Sequence, residues 1–365
     1  MVKILHTIPA LDGGGADRVI YDYCVRMIPQ LQFDFIVHSD HKGILEEELE
    51  KIGCNIYHVE PARNGIVKYL KNIYKILHQN NYDMIHVSQG YWGYFYILLA
   101  QICGIKIRIA HAHMANVPEN KLTTIKRKIF SKLTILSATD LFACGIDAAK
   151  WMWGEKNYRH NNVKIMVNSI DGEKFAFNQS LRNQLRQDWN VPGQFVIGNV
   201  GRLAYQKNQL FLLDVFSEIK KLKDNSKLFL IGRGELEEEL KLKVKKLGLS
   251  DSVVFTGVRS DVDQLLNMLD VFVLPSLFEG LPLTLIEVQM NGLPTVVSDN
   301  ITDESKFTDN YQSFSLNASP TFWAEQIISL NTNRISLPEE IKNLRDVNYL
   351  AKLQEKWYLN RMEKL

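Results

Sequence analysis

Two successive series of short β-rich runs, alternating with longer amphipathic runs, constrain this chain more than any other feature. In the first series the strand candidates are 2–8, 33–38, 55–59, 84–87, 106–113, 141–143 and 163–167, with helix candidates 16–28, 42–52, 65–79, 94–103, 122–136 and 147–153 in the intervals. Strands separated by helices need crossover connections, and crossovers produce a parallel sheet. Residues 168–178 break the pattern with polar, turn-forming sequence centred on Asp171-Gly172, the composition of a joint between domains. A second series follows, with strands at 195–200, 227–231, 253–256, 271–274 and 295–298 and helices at 206–222, 235–247, 262–269 and 283–291. The expected fold is α/β, with two doubly wound parallel-sheet, Rossmann-like domains at 1–172 and 173–345. Beyond Asp303 the strand signal fades, and 346–365 reads as a helix from the spacing of Leu350, Leu353, Trp357 and Leu359. A chain of 365 residues is long enough for two cores of this size.

Composition removes several function classes. The formal net charge is only +2, so bulk charge offers no case for nucleic acid as a partner. The four cysteines, Cys24, Cys54, Cys103 and Cys144, lack metal-ligand or redox-motif spacing and sit among apolar residues. They read as buried thiols of a reducing compartment. Residues 1–8 lack the long apolar region of a signal peptide, and the weakly polar stretch 84–105 is interrupted too often to span a bilayer. A cytoplasmic protein is expected.

Three elements carry chemistry. Asp12-Gly13-Gly14-Gly15-Ala16 lies between a strand and a helix; it is either a permissive turn or a place where backbone approaches an anion at a helix N-terminus. Gly201-Arg202-Leu203 with Gln206-Lys207-Asn208 follows the strand 195–200. Arg202 and Lys207 then flank the carboxyl end of a strand, where open α/β sheets bind ligands, and two cations suit a diphosphate leaving group. The third runs from Phe278 through Glu279-Gly280-Leu281-Pro282-Leu283-Thr284-Leu285-Ile286 to Glu287. Glu279 falls in a loop and Glu287 inside the next helix, so both carboxylates can accept hydrogen bonds from vicinal hydroxyls. The N–H groups near Leu283 and Thr284 can cradle phosphate.

The string Glu279 to Glu287 resembles the E-x7-E signature of the retaining family-4 (group-1) glycosyltransferases of the GT-B fold. Other pieces fall in the same order. Gly13-Gly14-Gly15-Ala16-Asp17-Arg18 is similar to that family's G-G-A-E-R element, with Asp17 in place of Glu. Asn168-Ser169-Ile170-Asp171 is similar to its N-G-I-D linker, with Ser169 in place of Gly. Gly201-Arg202 with Lys207 resembles its phosphate clamp, and 230–234 and 255–257 resemble its next two strand ends. Bacterial capsule and exopolysaccharide transferases are the nearest in feel.

The resemblance implies two domains facing a cleft, with the C-terminal helix packed on the first. It implies transfer of a sugar from a nucleoside-diphosphate sugar, a UDP-sugar in the first instance, to a glycan or polyprenyl-linked acceptor with retention of configuration. The donor is a co-substrate; no cofactor and no metal are expected. In the implied site Glu287 holds the ribose, Glu279 sugar hydroxyls, and Arg202 and Lys207 the diphosphate. Gly257 and Val258 hold the base by their backbone, Leu283 and Thr284 face the phosphates, and Gly14 and Gly15 approach them from the first domain. A histidine near the transferred sugar maps to His113, with His111 as the alternative; both fall on one face of the strand 106–113. A sugar-nucleotide epimerase or hydrolase on the same fold, and a non-catalytic sugar-nucleotide sensor, remain the rival readings. A nicotinamide dehydrogenase would need G-x-G-x-x-G, which neither half contains.

Two further segments need a reading. Asp261-Val262-Asp263 has the D-x-D form of a metal site, but its place before the run 262–269 suggests an N-cap at Asp261 and dipole complementarity at Asp263. The segment Lys121 to Leu133 holds five cations and no acid. It is expected to set Leu122, Ile125, Ile129, Phe130 and Leu133 on its own core, leaving the cations for the anionic inner face of the plasma membrane or for solvent.

Overall fold

The structure is a computed structural model and describes residues 1–39, 41–114 and 120–364. The chain divides into two compact units, Met1–Ile170 with Arg345–Leu365, and Asp171–Leu344. Each is a parallel sheet flanked by helices, so the α/β, doubly wound expectation holds.

The first unit contains seven strands: β1 (Val2–Thr7), β2 (Leu31–Val37), β3 (Ile56–His58), β4 (Met84–Val87), β5 (Ile107–Ala112), β6 (Asp140–Ala143) and β7 (Val163–Ile165), in the order β3-β2-β1-β4-β5-β6-β7. The order reverses between β1 and β4, the switch point where loops at the carboxyl ends diverge. Central strands covered on both faces are mostly apolar; all four residues of β4 are buried, His86 being the one polar side chain among them. Register sets His6 beside His86, and His86 beside Ile109, so alternation brings His111 onto the same face. That face is covered by the helix Val347–Glu363, which Asp346 caps by accepting from the Tyr349 N–H. Arg361 pairs with Asp140 at 3.2 Å, Trp357 packs edge-on against Phe142, and Arg26 donates to Asn348 at 2.6 Å. Residue 365, the end of the expected helix, lies outside the described residues.

The second unit contains β8 (Phe195–Val200), β9 (Ser226–Ile231), β10 (Val253–Gly257), β11 (Val271–Leu274), β12 (Thr295–Ser298) and β13 (Tyr311–Phe314), in the order β10-β9-β8-β11-β12-β13. The sequence reading missed β13. As an edge strand it exposes Gln312 and Ser313, so it lacks the apolar run of its buried neighbours. Helices Gln179–Asp188 and Pro320–Ser329 were missed as well. The first is polar, yet Arg182 and Arg186 anchor it to Asp270, with Arg186 Nη1 3.2 Å from that carboxylate.

Two further corrections matter for function. Asp261 makes no capping hydrogen bond; it forms a two-pronged pair with Arg259, while Asp263 lies 3.6 Å from Lys174. Both carboxylates of the D-x-D string are thus matched by cations of their own unit. The helix Lys121–Ser137 is oriented opposite to expectation: it buries Ser131 and Thr134, while Leu122, Ile125 and Ile129 are exposed. Of the expected stripe, Phe130 packs on neighbouring aromatic rings and Leu133 is half-buried. Cys103 is half-buried; Cys24, Cys54 and Cys144 are buried, and none of the four is joined in a disulfide.

Candidate functional site

The residues singled out in the second unit lie at the carboxyl ends of β8, β10 and β11. Gly201 follows β8 with φ of 150°, and Gly232 follows β9 so close to it that a Cβ there would stand 2.0 Å from the Gly201 carbonyl oxygen. Only glycine permits both that conformation and that approach. The chain then turns through Tyr205–Lys207, and Asn208 adopts a left-handed conformation before the helix Gln209–Leu222 begins.

This turn aims Lys207 at the loop after β11. Lys207 Nζ donates to Glu279 Oε1 at 2.6 Å, and Gln206 Nε2 donates to Glu279 Oε2 at 3.1 Å and to the Phe278 carbonyl at 3.0 Å. The Gln206 carbonyl accepts from the Leu277 N–H at 2.8 Å, which joins the two loops through backbone as well. The buried Lys207–Glu279 pair leaves the ammonium with further N–H donors and the carboxylate with further lone pairs, so both remain able to bind a polar ligand. Gln206, to which the sequence reading gave no role, positions Glu279.

Arg202 lies apart from this pair. It is exposed, and its Nε donates to Glu235 at 3.0 Å. Gly257 ends β10 with φ of 69°, its Cβ position 3.3 Å from Arg233 Nε, and Val258 is exposed beside it. Arg233, which lies within the strand end 230–234, is thus a neighbour of the implied base site. Leu283 and Thr284 are the first residues of the helix Leu283–Met290, whose leading N–H groups have no intrahelical partner. Glu287 sits half-buried one turn further in.

In the first unit Gly14 is the N-cap of the helix Gly15–Met27, and space is open where a Gly15 side chain would stand. Asp17 folds back on Gly14. Burial raises its pKa to about 6, opposed by the Gly14 hydrogen bond and assisted by the charge on Asp12. Where the family pattern has Glu, the shorter Asp thus acts at the third helical position as a cap of its own helix.

His113 lies just beyond β5, half-buried, with Nε2 3.0 Å from Ser88 Oγ, and its ring centroid is 3.9 Å from that of His111, the two planes tilted by 38°. His111 is buried. Its Nδ1 lies 2.9 Å from His86 Nε2, and His86 Nδ1 lies 2.6 Å from the Tyr358 hydroxyl of the C-terminal helix. His6 stacks on His86 at 4.3 Å. Burial drives all four rings towards the neutral form: His113 to about 4, His6 to about 3, and His86 and His111 well below the usual histidine value. His6 and His86 were missed because an isolated histidine in a strand carries no spacing signal; only register joins them. Among the described residues no group of three or more His, Cys, Asp or Glu is arranged to hold a metal ion.

Residues 182–346 match the family described as glycosyl transferases group 1. The chain is 33% identical over 306 residues to the amylovoran biosynthesis glycosyltransferase AmsD of Erwinia amylovora, covering 82% of this chain and 81% of that one. It is 28% identical over 311 residues to the UDP-Gal:alpha-D-GlcNAc-diphosphoundecaprenol alpha-1,3-galactosyltransferase of Escherichia coli, covering 82% and 79%. The crystal structure of Anabaena HepE with UDP and glucose shares the fold at a TM-score of 0.78, with 17% identity over the full length of both chains. The chain belongs to the group 1 glycosyl transferases.

Proposed function

We propose that this glycosyltransferase moves a sugar from a UDP-sugar to a polyprenyl-linked or free glycan acceptor in surface polysaccharide assembly, with retention of anomeric configuration. The Lys207–Glu279 contact carries the reading. It sets a cation and a hydroxyl-binding carboxylate side by side at the carboxyl ends of β8 and β11, and a diphosphate sugar offers both complementary groups on adjacent atoms. Two of the relatives described above support the assignment by their names, AmsD for polysaccharide and the Escherichia coli galactosyltransferase for a diphosphoundecaprenol-linked acceptor.

In the reaction the acceptor hydroxyl oxygen bonds to the anomeric carbon on the face that the diphosphate leaves. The bond between that carbon and the phosphate oxygen breaks, and the hydroxyl proton passes to a phosphate oxygen. Lys207, Arg202 and the N–H groups of Leu283 and Thr284 offset the charge that grows on the departing diphosphate. Glu287 holds the ribose and Glu279 the sugar hydroxyls, while the backbone of Gly257 and Val258 meets the base. Gly14 and Gly15 admit the phosphates closely, and neutral His113 contacts the transferred sugar. No protein nucleophile and no metal are needed, and the enzyme works at the cytoplasmic face of the membrane.

The experiment is incubation with a panel of UDP-sugars and a polyprenyl-diphosphate-linked glycan in EDTA, with the product's anomeric coupling read by NMR. Retention with turnover intact in EDTA is expected. An inverted product overturns the stereochemical assignment, and release of free sugar alone favours the hydrolase.

A further inference from the structure

The helix Lys121–Ser137 has its apolar stripe on the wrong side for a solvent-facing helix. Leu122, Ile125, Ile129 and Leu136 are 61%, 55%, 52% and 82% exposed. At 100° per residue they fall within about 60° of one another, opposite the buried Ser131 and Thr134. Exposed Lys126 borders this stripe on one side, and exposed Lys121, Lys128 and Lys132 border it on the other. The helix carries no acidic residue. Arg127 turns inward instead, donating to the Trp151 carbonyl at 2.7 Å with its guanidinium 4.2 Å from that residue's ring. Beside the stripe, Phe130 packs among Tyr91, Trp92, Tyr94 and Phe95, and Trp92 is 38% exposed.

We propose that this face is a membrane-insertion surface, in which Leu122, Ile125, Ile129 and Leu136 enter the acyl boundary of an anionic bilayer. Flanking lysines reach back to the headgroups, and Trp92 lies at the headgroup level. The arrangement fits a helix lying in the interface plane, with the apolar face down and cations on both flanks. It does not fit a second copy of the chain: a two-fold contact through the stripe would face one lysine row against another. Among the described residues no helix is long and apolar enough to cross a membrane, so this surface would lie on the bilayer. The inference deepens the proposed polyprenyl-linked acceptor by naming how the enzyme meets it, and it differs from charge attraction alone because part of the binding must survive salt.

The test is sedimentation of the full chain with phosphatidylcholine vesicles containing 30% phosphatidylglycerol, at about 0.1 and 0.5 M salt, the Debye length falling from about 10 Å towards 4 Å. One variant combines Leu122→Ser, Ile125→Ser, Ile129→Ser and Leu136→Ser; the other replaces Lys121, Lys126, Lys128 and Lys132 with Gln. All eight positions are exposed, so both variants are expected to fold. The wild type is expected to bind at both salt concentrations. The serine variant should lose at least about tenfold in partitioning at high salt, whereas the glutamine variant should lose mainly the salt-sensitive part. Absence of wild-type binding, or high-salt binding by the serine variant equal to wild type, overturns the inference. A wild-type dimer that the serine variant abolishes overturns it in favour of self-association. UDP-sugar-induced thermal stabilisation, measured on the same samples, reports the functional reading separately: its loss with vesicle binding intact points to the donor site, and the converse to this surface.

Discussion

The Lys207–Glu279 pair gives the most direct quantitative test, because both side chains are nearly removed from solvent, at 14% and 6% exposure, with a 2.6 Å contact. Removing one partner of a buried ion pair costs about 3–5 kcal/mol because the other charge is left uncompensated. In Lys207→Met, Glu279 would keep the Gln206 amide at 3.1 Å, and a hydrogen bond to a charged group is worth about 1.5–3 kcal/mol. The expected loss is therefore about 2–3 kcal/mol. Glu279→Gln retains an amide oxygen that Lys207 can reach, so its cost should be smaller, about 1–2 kcal/mol. The double variant leaves no buried charge and should be less destabilised than the sum of the two, a coupling of about 1–2 kcal/mol. A two-unit chain need not unfold in one step. The appropriate measurement is hydrogen exchange of the peptides covering 195–207 and 271–287 as a function of urea, which reads opening of the second unit alone. Donor-induced stabilisation should fall in the same variants. Two single changes that each shift the opening free energy by less than about 0.5 kcal/mol, and that simply add, would refute the view that this pair is buried and coupled.

Two other outcomes follow from the geometry. Arg202 and Glu235 form an exposed pair, worth at most about 1 kcal/mol to the fold; Arg202→Ala should leave the melting temperature nearly unchanged yet lower turnover by about ten- to a hundredfold. Glu287→Ala should instead weaken donor binding, and unchanged kinetics in both variants would place the site elsewhere. The histidine cluster makes the first unit acid-sensitive: because the folded values lie below 6.5, the unfolded chain binds more protons as the pH falls from 6.5 towards about 4 and 3, so the stabilisation is present above pH 6.5 and is lost on acidification. His113 alone accounts for on the order of 3 kcal/mol over that interval, while Asp17, raised to about 6, works in the opposite sense. Melting temperatures that do not fall between pH 6.5 and 4, or a His113→Asn variant with the wild-type pH profile, would count against this account.

The alternation of strand and helix periods determined both parallel sheets, because side-chain periodicity is a local property and a sheet buried on both faces demands apolar strands. The glycines after β8 and β9 and the glutamates eight positions apart were equally legible, since backbone approach and a loop-to-helix step leave marks in the sequence. Tertiary structure alone decided the rest. The ion pair between Lys207 and Glu279 joins residues 72 positions apart, a distance over which sequence carries no spacing rule. The clustering of His6, His86 and His111 depends on strand register, which places single histidines from three strands on one face. The polar strand β13 escaped notice because an edge needs no apolar run. Asp261 was read as a helix cap, but the Arg259 guanidinium two residues away held its carboxylate instead. The orientation of the helix Lys121–Ser137 was inverted for a similar reason. Its sequence establishes that one face is apolar, but which face meets the core is decided by what the core presents, and here Arg127 stacked on Trp151 and Phe130 among the aromatic rings turned the leucines and isoleucines outward.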